Sequence, residues 1–340
     1  MKTLPRHLIV SAILLAFSSV LPAEEKPIAI TRGVDLYSHC DLVEWNKQYF
    51  VSFLTNSKDI KTDGTIQIYS SKDTRTWEKL ATISAPMDAT RLYQPALTVS
   101  PNGLLMLTAS GVYPGDYSNR PLPMYGASFS TLVWYSKDGK KWSDHSRLLP
   151  SGTHPNRVTW NEKSPYMFVR GCICGSATTI QMHRVDGTID SGIKYEETFT
   201  GFFPEQLAAV VQDNKLDVIF TRSTGQAGAN LPAYYILNQK LDEKDWEWKE
   251  MKQILANPSL VRTNDGRIFV ACNILEKDPR VVVGELDKEQ GIIRELQALP
   301  NARKHSNVGL LLKDNALHIT YVAIESDKSV NYLKVPLPKK

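Results

Sequence analysis

The stretch SLVRTNDGRIFVACN, residues 259–273, contains an apolar run, a turn of Asn, Asp and Gly, and a second apolar run. Apolar, β-branched runs on both sides of such a turn are typical of a β-hairpin. Five further segments share this pattern: LVEWNKQYFVSF from Leu42, LTVSPNGLLMLTAS from Leu97, RVTWNEKSPYMFVRG from Arg157, LAAVVQDNKLDVIFTRS from Leu207 and GLLLKDNALHITYVA from Gly309. The sequence therefore predicts six hairpins.

The six hairpins recur at a regular interval. Their turns are separated by 56, 60, 52, 51 and 49 residues, and centre near Asn46, Asn102, Glu162, Asn214, Asp265 and Asp314. In a chain of strands this period is typical of a propeller, in which each repeat forms one four-stranded sheet. We therefore expect an all-β, six-bladed β-propeller. Each hairpin should supply the two inner strands of a blade, and the two outer strands should follow it along the chain.

The N-terminus has the features of a secretory signal peptide. Lys2 and Arg6 flank the start of an apolar run over residues 8–20, and Ala23 precedes Glu24. This order of a basic start, an apolar run and a small residue is that of a cleaved leader, and the run is short for a membrane span. We expect a signal peptide at residues 1–23 and a single propeller domain at 24–340. The mature protein should be periplasmic or secreted and not held in a membrane.

The charge of the mature chain argues against a nucleic-acid partner. Without residues 1–23 the chain keeps 38 of its 40 Lys and Arg and all 36 Asp and Glu, so its net charge is +2. That balance does not supply the basic surface that binds nucleic acid or anionic membrane. Cys172 and Cys174 are a weak zinc pattern because no second Cys or His pair lies near them. We predict no metal and no other cofactor, and leave the oligomeric state and any disulfide pairing open.

Two turns between outer strands share a second motif, SKDGKKW at residues 136–142 and SKDTRTW at 71–77. We expect the Asp to accept hydrogen bonds from backbone N–H groups, the Gly to adopt a positive φ, and the Trp to pack between sheets. Both turns resemble the Asp-box of the sialidase superfamily, also called the BNR repeat. Thr74 stands where that motif has Gly.

Propeller topology brings the starts of all inner strands to one end of the axis. Polar residues from distant positions should meet there and form a funnel for a small polar ligand. The candidates at the starts and ends of the inner strands are His39, Tyr93, Arg157, Arg170, Glu205, Arg222, Asn307 and Glu325. Since the planar fork of Arg binds carboxylates through two charge-assisted hydrogen bonds, this set favours an anionic ligand.

With these residues in place, the chain resembles sialidase-like propellers of secreted bacterial type over nearly its whole mature length. The resemblance implies that Asp63, in KTDGTIQIYSSKD, is an acid/base residue, with Asp59 as a nearby alternative, and that Glu205, in FFPEQLAAVV, activates the nucleophile. It also implies that Arg222, in IFTRS, binds a substrate carboxylate and that Glu325 orients an Arg.

Two positions depart from the sialidase pattern. The first inner strand carries His39 where an Arg is expected, and the last begins at Asn307 where the nucleophilic Tyr is expected. A neutral Tyr can approach an anomeric carbon beside a carboxylate, whereas a carboxylate nucleophile is repelled. For that reason true exo-sialidase activity is not expected.

We therefore expect an exported, sialidase-like glycoside hydrolase that acts on an anionic glycan. Asp63 would be the general acid/base and Glu205 the base or nucleophile. Residues expected to bind the substrate are Tyr93, Arg157, Arg170, Arg222, Asn307 and Glu325. Two alternatives remain open: a non-catalytic glycan-binding propeller, and a lyase on uronate-containing glycans in which His39 or a Tyr abstracts a proton next to a carboxylate.

Overall fold

The computed structural model describes residues 25–33, 36–56, 64–89, 91–113, 129–149, 153–154, 156–172, 178–185, 193–224, 229–243, 245–304, 306–324 and 328–338. The described residues form β-strands and contain no helix, and so none that is long and apolar enough to cross a membrane. The predicted signal peptide lies outside them and stays a prediction.

The first strand of the described residues is β1 (Ile28–Arg32), and three sheets follow it in sequence order. Blade 1 holds β2 (Leu36–Trp45), β3 (Gln48–Asn56), β4 (Gly64–Ser71) and β5 (Glu78–Ile83); blade 2 holds β6 (Arg91–Val99), β7 (Leu105–Val112), β8 (Phe129–Ser136) and β9 (Ser146–Arg147); blade 3 holds β10 (Thr153–His154), β11 (Thr159–Asn161), β12 (Ser164–Cys172), β13 (Thr178–Arg184) and β14 (Ile193–Phe199).

Three further sheets complete the ring. Blade 4 holds β15 (Phe203–Gln212), β16 (Lys215–Ser223), β17 (Asn230–Lys240) and β18 (Lys249–Glu250); blade 5 holds β19 (Leu255–Arg262), β20 (Ile268–Ile274), β21 (Arg280–Asp287) and β22 (Ile292–Ala298); blade 6 holds β23 (Gly309–Lys313), β24 (Ala316–Ala323) and β25 (Ser329–Pro336). Every predicted hairpin forms the inner strands of one sheet. The all-β, six-bladed propeller is therefore confirmed.

The inner hairpins close through tight turns with left-handed backbone. In blade 1 the turn residues Asn46 and Lys47 have φ of 49° and 60°, and in blade 4 Asp213 and Asn214 have φ of 53° and 57°. Two consecutive positive φ angles match the right-handed twist of the flanking strands, and Asn and Asp tolerate them best among non-glycine residues. This local chemistry explains why the hairpin pattern could be read from the sequence.

Blade 6 departs from the expected strand order. Its outermost strand is β1, which pairs with β25 from Ile28 opposite Tyr332 to Arg32 opposite Ser329. The last blade thus takes its fourth strand from residues 28–32, which precede blade 1, and not from residues that follow its own hairpin. Because β1 and β25 lie in one sheet, backbone hydrogen bonds hold the two ends of the ring together.

The hydrophobic core consists of layers between neighbouring blades. Buried apolar side chains form one cluster between each pair of adjacent sheets, except that blades 3 and 4 share two. The layer between blades 1 and 2, for example, contains Leu54, Ile66, Leu97, Leu107 and Leu132. Fully burying one such side chain contributes roughly 1.5–3 kcal/mol. Near the axis the blades approach more closely. A Cβ on Gly309 of β23 would lie 2.8 Å from the backbone of Asp41 and of Leu42 in blade 1, so only glycine fits there.

The 71–77 and 136–142 turns have the same hydrogen bonds. Asp73 Oδ1 accepts from the backbone N–H of Arg75 and of Thr76, both at 2.8 Å. Asp138 Oδ1 accepts from the two equivalent N–H groups at 2.8 and 2.7 Å. These bonds lower the pKa of both carboxyl groups. Thr74 adopts a φ of 63° at the position where Gly139 has 74°, so a β-branched residue follows the same path.

Candidate functional site

The inner strands of four blades carry a β-bulge near their first residues. In these bulges two residues oppose one on the partner strand, as register shifts in β2, β6, β15 and β19 show. His39, Gln94 and Asn257 occupy the bulges of blades 1, 2 and 5 with φ of 50°, 49° and 49°. A bulge bends a strand and redirects its side chains, and bulges are frequent beside active sites. We call this end of the propeller, where the inner strands begin, the axial end.

At the axial end, His39 connects three blades. Its ring lies edge-on to Tyr93 of blade 2, with ring centroids 6.3 Å apart, and its side chain hydrogen-bonds Asn307 of blade 6. The backbone carbonyl of Asn307 also accepts from the N–H of Cys40 at 3.3 Å. His39 therefore contacts two other predicted site residues, Tyr93 and Asn307.

The imidazole of His39 is neutral at neutral pH. Burial is the main reason that its pKa falls from 6.5 to about 4, while the hydrogen bond with Asn307 acts in the opposite direction and the positive charge of Arg303 lowers the pKa further. General bases work best when their pKa is near the working pH. His39 is therefore suited to hydrogen bonding and is a weak base for proton abstraction.

Glu205 lies in the bulge of β15, half-buried, at the same axial end. Its Oε1 accepts a hydrogen bond from Ser223 Oγ at 2.7 Å, which fixes the carboxylate against the end of β16. The next residue, Gln206, connects the bulge to blade 5, because its Oε1 accepts from the backbone N–H of Asn257 at 2.6 Å. The Glu205 bulge is thus joined by hydrogen bonds to the next blade of the ring.

Arg157 lies between β10 and β11 and forms an ion pair that sequence reasoning missed. Its Nε donates to Asp41 Oδ2 at 3.1 Å and its Nη2 to Asp41 Oδ1, so the contact is bidentate. Asp41 is buried in blade 1 and its Oδ2 also accepts from the N–H of Leu97 in blade 2 at 2.7 Å. The available signal was Asp41 directly before the apolar pair Leu42 and Val43 of an inner strand, since a buried carboxylate needs a partner. Arg157 is paired within the fold.

Arg222 extends away from the axis. Its Nε donates to the carbonyl of Pro232 at 2.6 Å, and its Nη2 donates to Glu250 Oε2 on the outermost strand, β18, at 2.6 Å. The guanidinium lies 3.7 Å from the ring centroid of Tyr234 and 4.9 Å from that of Phe202. The structure therefore places Arg222 inside blade 4, with its charge directed to the outer edge and not to Glu205.

Three predicted residues fall wholly or partly outside the described residues. Asp63, the expected acid, and Glu325 are both outside them. For Arg170 only the backbone is described, opposite His154 in the pairing of β10 with β12. Their roles stay predictions.

The described residues contain no group of three or more His, Cys, Asp or Glu side chains that could hold a metal ion. Cys40 and Cys272 are buried free cysteines. Burial raises the pKa of both, that of Cys272 to about 12, so each is a protonated thiol at neutral pH. Both act as small apolar side chains of the inner strands.

No protein-family model matches the chain, and no curated protein is similar to it in sequence. Solved structures with the same architecture are numerous. A protein of unknown function from Dyadobacter fermentans is 14% identical, with a TM-score of 0.72 over 93% of this chain and 99% of that one. An α-L-arabinanase from Penicillium chrysogenum, complexed with arabinobiose, is 14% identical, with a TM-score of 0.68 over the same shares.

A sialidase from Streptococcus pneumoniae is 11% identical, with a TM-score of 0.65 over 94% of this chain and 72% of that one. These identities are low, so the likeness concerns the fold. It agrees with the resemblance that the outer turns and the axial residues predict. By its fold, this chain is a six-bladed β-propeller similar to those of the arabinanase and the sialidase.

Proposed function

We propose that the protein is an exported glycoside hydrolase that cleaves a glycan at the axial end. The observation that carries this proposal is the position of Glu205, a half-buried carboxylate held by Ser223 Oγ at 2.7 Å at the start of an inner strand. His39, Tyr93 and Asn307 lie at the same end and offer hydrogen-bonding and aromatic contacts. Similar propellers include an arabinanase and a sialidase, both of which act on glycans.

The proposed chemistry uses two carboxyl groups. Asp63 protonates the glycosidic oxygen of the leaving group, and Glu205 either activates a water molecule or attacks the anomeric carbon. Carboxyl groups about 5–5.5 Å apart retain the anomeric configuration, and those about 6.5–9.5 Å apart invert it. Water is consumed in both cases, and no metal or other cofactor takes part in this scheme.

The lyase alternative has less support than hydrolysis. With His39 as the base, it requires the imidazole to remove a proton from a carbon next to a carboxylate, which is a weakly acidic position. Since the pKa of His39 is about 4, its imidazole is a weak base at neutral pH. We therefore do not assign proton abstraction to His39.

The case for an anionic substrate is also weaker than the sequence suggested. The guanidinium groups of Arg157 and Arg222 are paired with Asp41 and Glu250 of the fold, so neither favours an anionic ligand over a neutral one. Among the three arginines predicted to bind substrate, Arg170 alone retains that role as a prediction.

The experiment tests whether the mature protein hydrolyses any member of a glycan panel. The release of reducing ends measures the hydrolysis. Asp63→Asn and Glu205→Gln should each lower kcat by about a hundredfold or more, because each removes one acid/base function. Glu162→Gln is the matched control; Glu162 lies in the turn between β11 and β12, at the opposite end of the axis. Its activity should equal that of the wild type.

Two outcomes would overturn the proposal. Unchanged turnover in both carboxylate variants would show that these residues are not the catalytic pair. Glycan binding without turnover of any substrate by the wild type would instead establish the non-catalytic binding propeller. Export is part of the proposal and is supported by the leader-like sequence of residues 1–23.

A further inference from the structure

Several buried polar atoms at the axial end have no hydrogen-bond partner among the described residues. The atoms without a partner are both polar side-chain atoms of Asn257 (Oδ1 and Nδ2), Ser306 Oγ and His39 Nδ1. Asn257 and Ser306 are each only 2% exposed. Leaving such a group unpaired costs about 1–3 kcal/mol, and native proteins pair nearly all of them with protein or water. Four unpaired atoms at one end of the axis therefore indicate a place where something else binds.

Hydrogen bonds connect these residues around the axis. Asn273 Nδ2 donates to the carbonyl of Ala256, which precedes Asn257, and to the carbonyl of Ser306, both at 3.4 Å. Asn307 follows Ser306 and hydrogen-bonds His39. Asn257, Ser306 and His39 thus lie on blades 5, 6 and 1, which are consecutive in the ring. We call these three side chains the axial recess.

The repeat places Asn257 in the same way as His39. Both are bulge residues of an inner strand, with φ of 49° and 50°. His39 reaches the strand starts of both neighbouring blades, at Tyr93 and Asn307. By the same rotation about the axis, Asn257 lies between the strand starts of blades 4 and 6, and its N–H donates to Gln206 of blade 4 at 2.6 Å.

We propose that the axial recess binds the hydroxyl groups of an uncharged sugar ring, with Asn257 as a specificity-determining residue. This rests on the proposed function in one respect, since it places the sugar at the end where Glu205 lies. A carboxamide donates two hydrogen bonds and accepts two, and a hydroxyl does both, which matches vicinal hydroxyl groups of a sugar. No member of the recess carries a charge that would compensate a buried carboxylate.

The charges around the recess agree with an uncharged ligand. Arg157 is paired with Asp41, and His39 is neutral at neutral pH. Arg303 is the cation that acts on His39, and its influence on that pKa is smaller than that of burial. Ordered water is the alternative occupant, because buried polar atoms often pair with it. A sugar hydroxyl that displaces such water keeps the hydrogen bonds.

The test is calorimetric binding to the full mature protein carrying Glu205→Gln, so that no ligand is hydrolysed. The uncharged probes are arabinobiose, lactose and xylobiose, and the anionic probes are N-acetylneuraminic acid and glucuronic acid. At least one uncharged probe should bind, and Asn257→Ala should weaken it about tenfold or more, since it removes several hydrogen bonds. Ser306→Ala should weaken the same probe roughly threefold to tenfold.

Asn214→Ala is the matched control. Asn214 is an exposed turn residue at the opposite end with a φ of 57°, so alanine there suffers the same left-handed strain as alanine at position 257. The affinity of the Asn214→Ala variant for the uncharged probe should equal that of the Glu205→Gln parent protein. Ser306→Ala keeps the test valid if Asn257→Ala does not fold, because it deletes an oxygen that no described residue bonds.

The inference is overturned if the anionic probes bind more tightly than the uncharged ones, if no uncharged probe binds, or if binding is insensitive to both recess variants. These results are separable from failure of the hydrolase proposal. Binding of an uncharged sugar through the recess without turnover in the wild type leaves the inference standing and refutes the hydrolase. Turnover of anionic glycans and of no uncharged glycan refutes the inference about the recess and leaves the hydrolase proposal standing.

Discussion

Asp41 of blade 1 and Arg157 of blade 3 form a bidentate ion pair near the axis of the propeller. The guanidinium also donates to the carbonyl of Leu42 at 3.0 Å and to that of Leu310 in blade 6 at 3.4 Å. The carboxylate accepts in addition from the N–H of Leu97 in blade 2 at 2.7 Å. One pair of side chains therefore ties four of the six blades together, and it stabilises the ring that carries the axial recess.

We expect Asp41→Asn to lower the free energy of unfolding by about 3 kcal/mol, because it leaves the Arg157 charge without its counter-charge in a largely buried position. The two carboxylate oxygens also accept the N–H groups of Leu42 and Leu97, at 2.8 and 2.7 Å. An asparagine turned either way would set its own N–H₂ against one of these donors. Urea denaturation followed by tryptophan fluorescence measures the change.

The control for this substitution is Glu243→Gln, which breaks the surface pair of Lys240 and Glu243. Their side chains are 62% and 50% exposed, so the change should be below about 0.5 kcal/mol. An Asp41→Asn variant as stable as Glu243→Gln would contradict the role of the axial pair.

Arg222 should act on stability and not on glycan binding. Arg222→Lys should lower the free energy of unfolding by roughly 2 kcal/mol, since an ammonium group cannot donate to Pro232 and Glu250 together while lying flat on Tyr234. The Kd for any glycan bound in the panel should stay within about twofold of the wild type. Denaturant unfolding and calorimetry on the same preparation measure both quantities.

Arg280→Lys is the matched control, because Arg280 pairs with Glu295 at 2.8 Å but is 40% exposed. Its effect on stability should be below about 0.5 kcal/mol. A loss of glycan affinity in Arg222→Lys with unchanged stability would restore Arg222 to the substrate site.

His318 should make the fold sensitive to acid. Burial first, and then the charge of Lys334, lower its pKa from 6.5 to about 4. Between these two values the unfolded chain binds a proton that the native state does not, so stability rises with pH through this window and is lost as pH falls from about 6.5 to 4. The contribution of this one group is on the order of 2 kcal/mol.

The measurement is the urea midpoint between pH 4 and 7.5 for the wild type and for His318→Phe. Phenylalanine keeps the stack on Tyr49, where the ring centroids are 5.1 Å apart, but cannot take up a proton. The variant should lose less stability than the wild type on acidification. Its urea midpoint at pH 7.5 should be lower than that of the wild type, because it lacks the 2.6 Å hydrogen bond to Tyr332. Parallel pH curves for the two proteins would refute the assignment.

The inner hairpins follow directly from local sequence. Asn46 and Asn214 mark turns whose left-handed φ angles they tolerate, and apolar runs on both sides supply the strands. The same pattern places His39, Glu205 and Asn307 at strand starts, and the structure finds them at the axial end. These predictions succeeded because each depends on neighbours in the chain.

Closure of the ring was not predictable in the same way. Strand β1 pairs with β25, which lies some 300 residues away, and neither strand carries a local signal for that partner. The Asp41–Arg157 pair likewise joins residues 116 positions apart. Arg222 looked like a substrate residue because it ends an inner strand, but its guanidinium extends toward Glu250.

The sequence alone determined the number of sheets and the end of the axis at which polar residues gather, since hairpin formation and repeat spacing are properties of short segments. Tertiary structure alone decided which of those residues still have hydrogen-bonding capacity for a ligand. Arg157 and Arg222 are paired inside the fold, whereas Asn257 and Ser306 keep buried atoms with no partner among the described residues. The physical reason is that pairing requires atoms within about 3 Å, and the rotation of the blades about a common axis sets those distances.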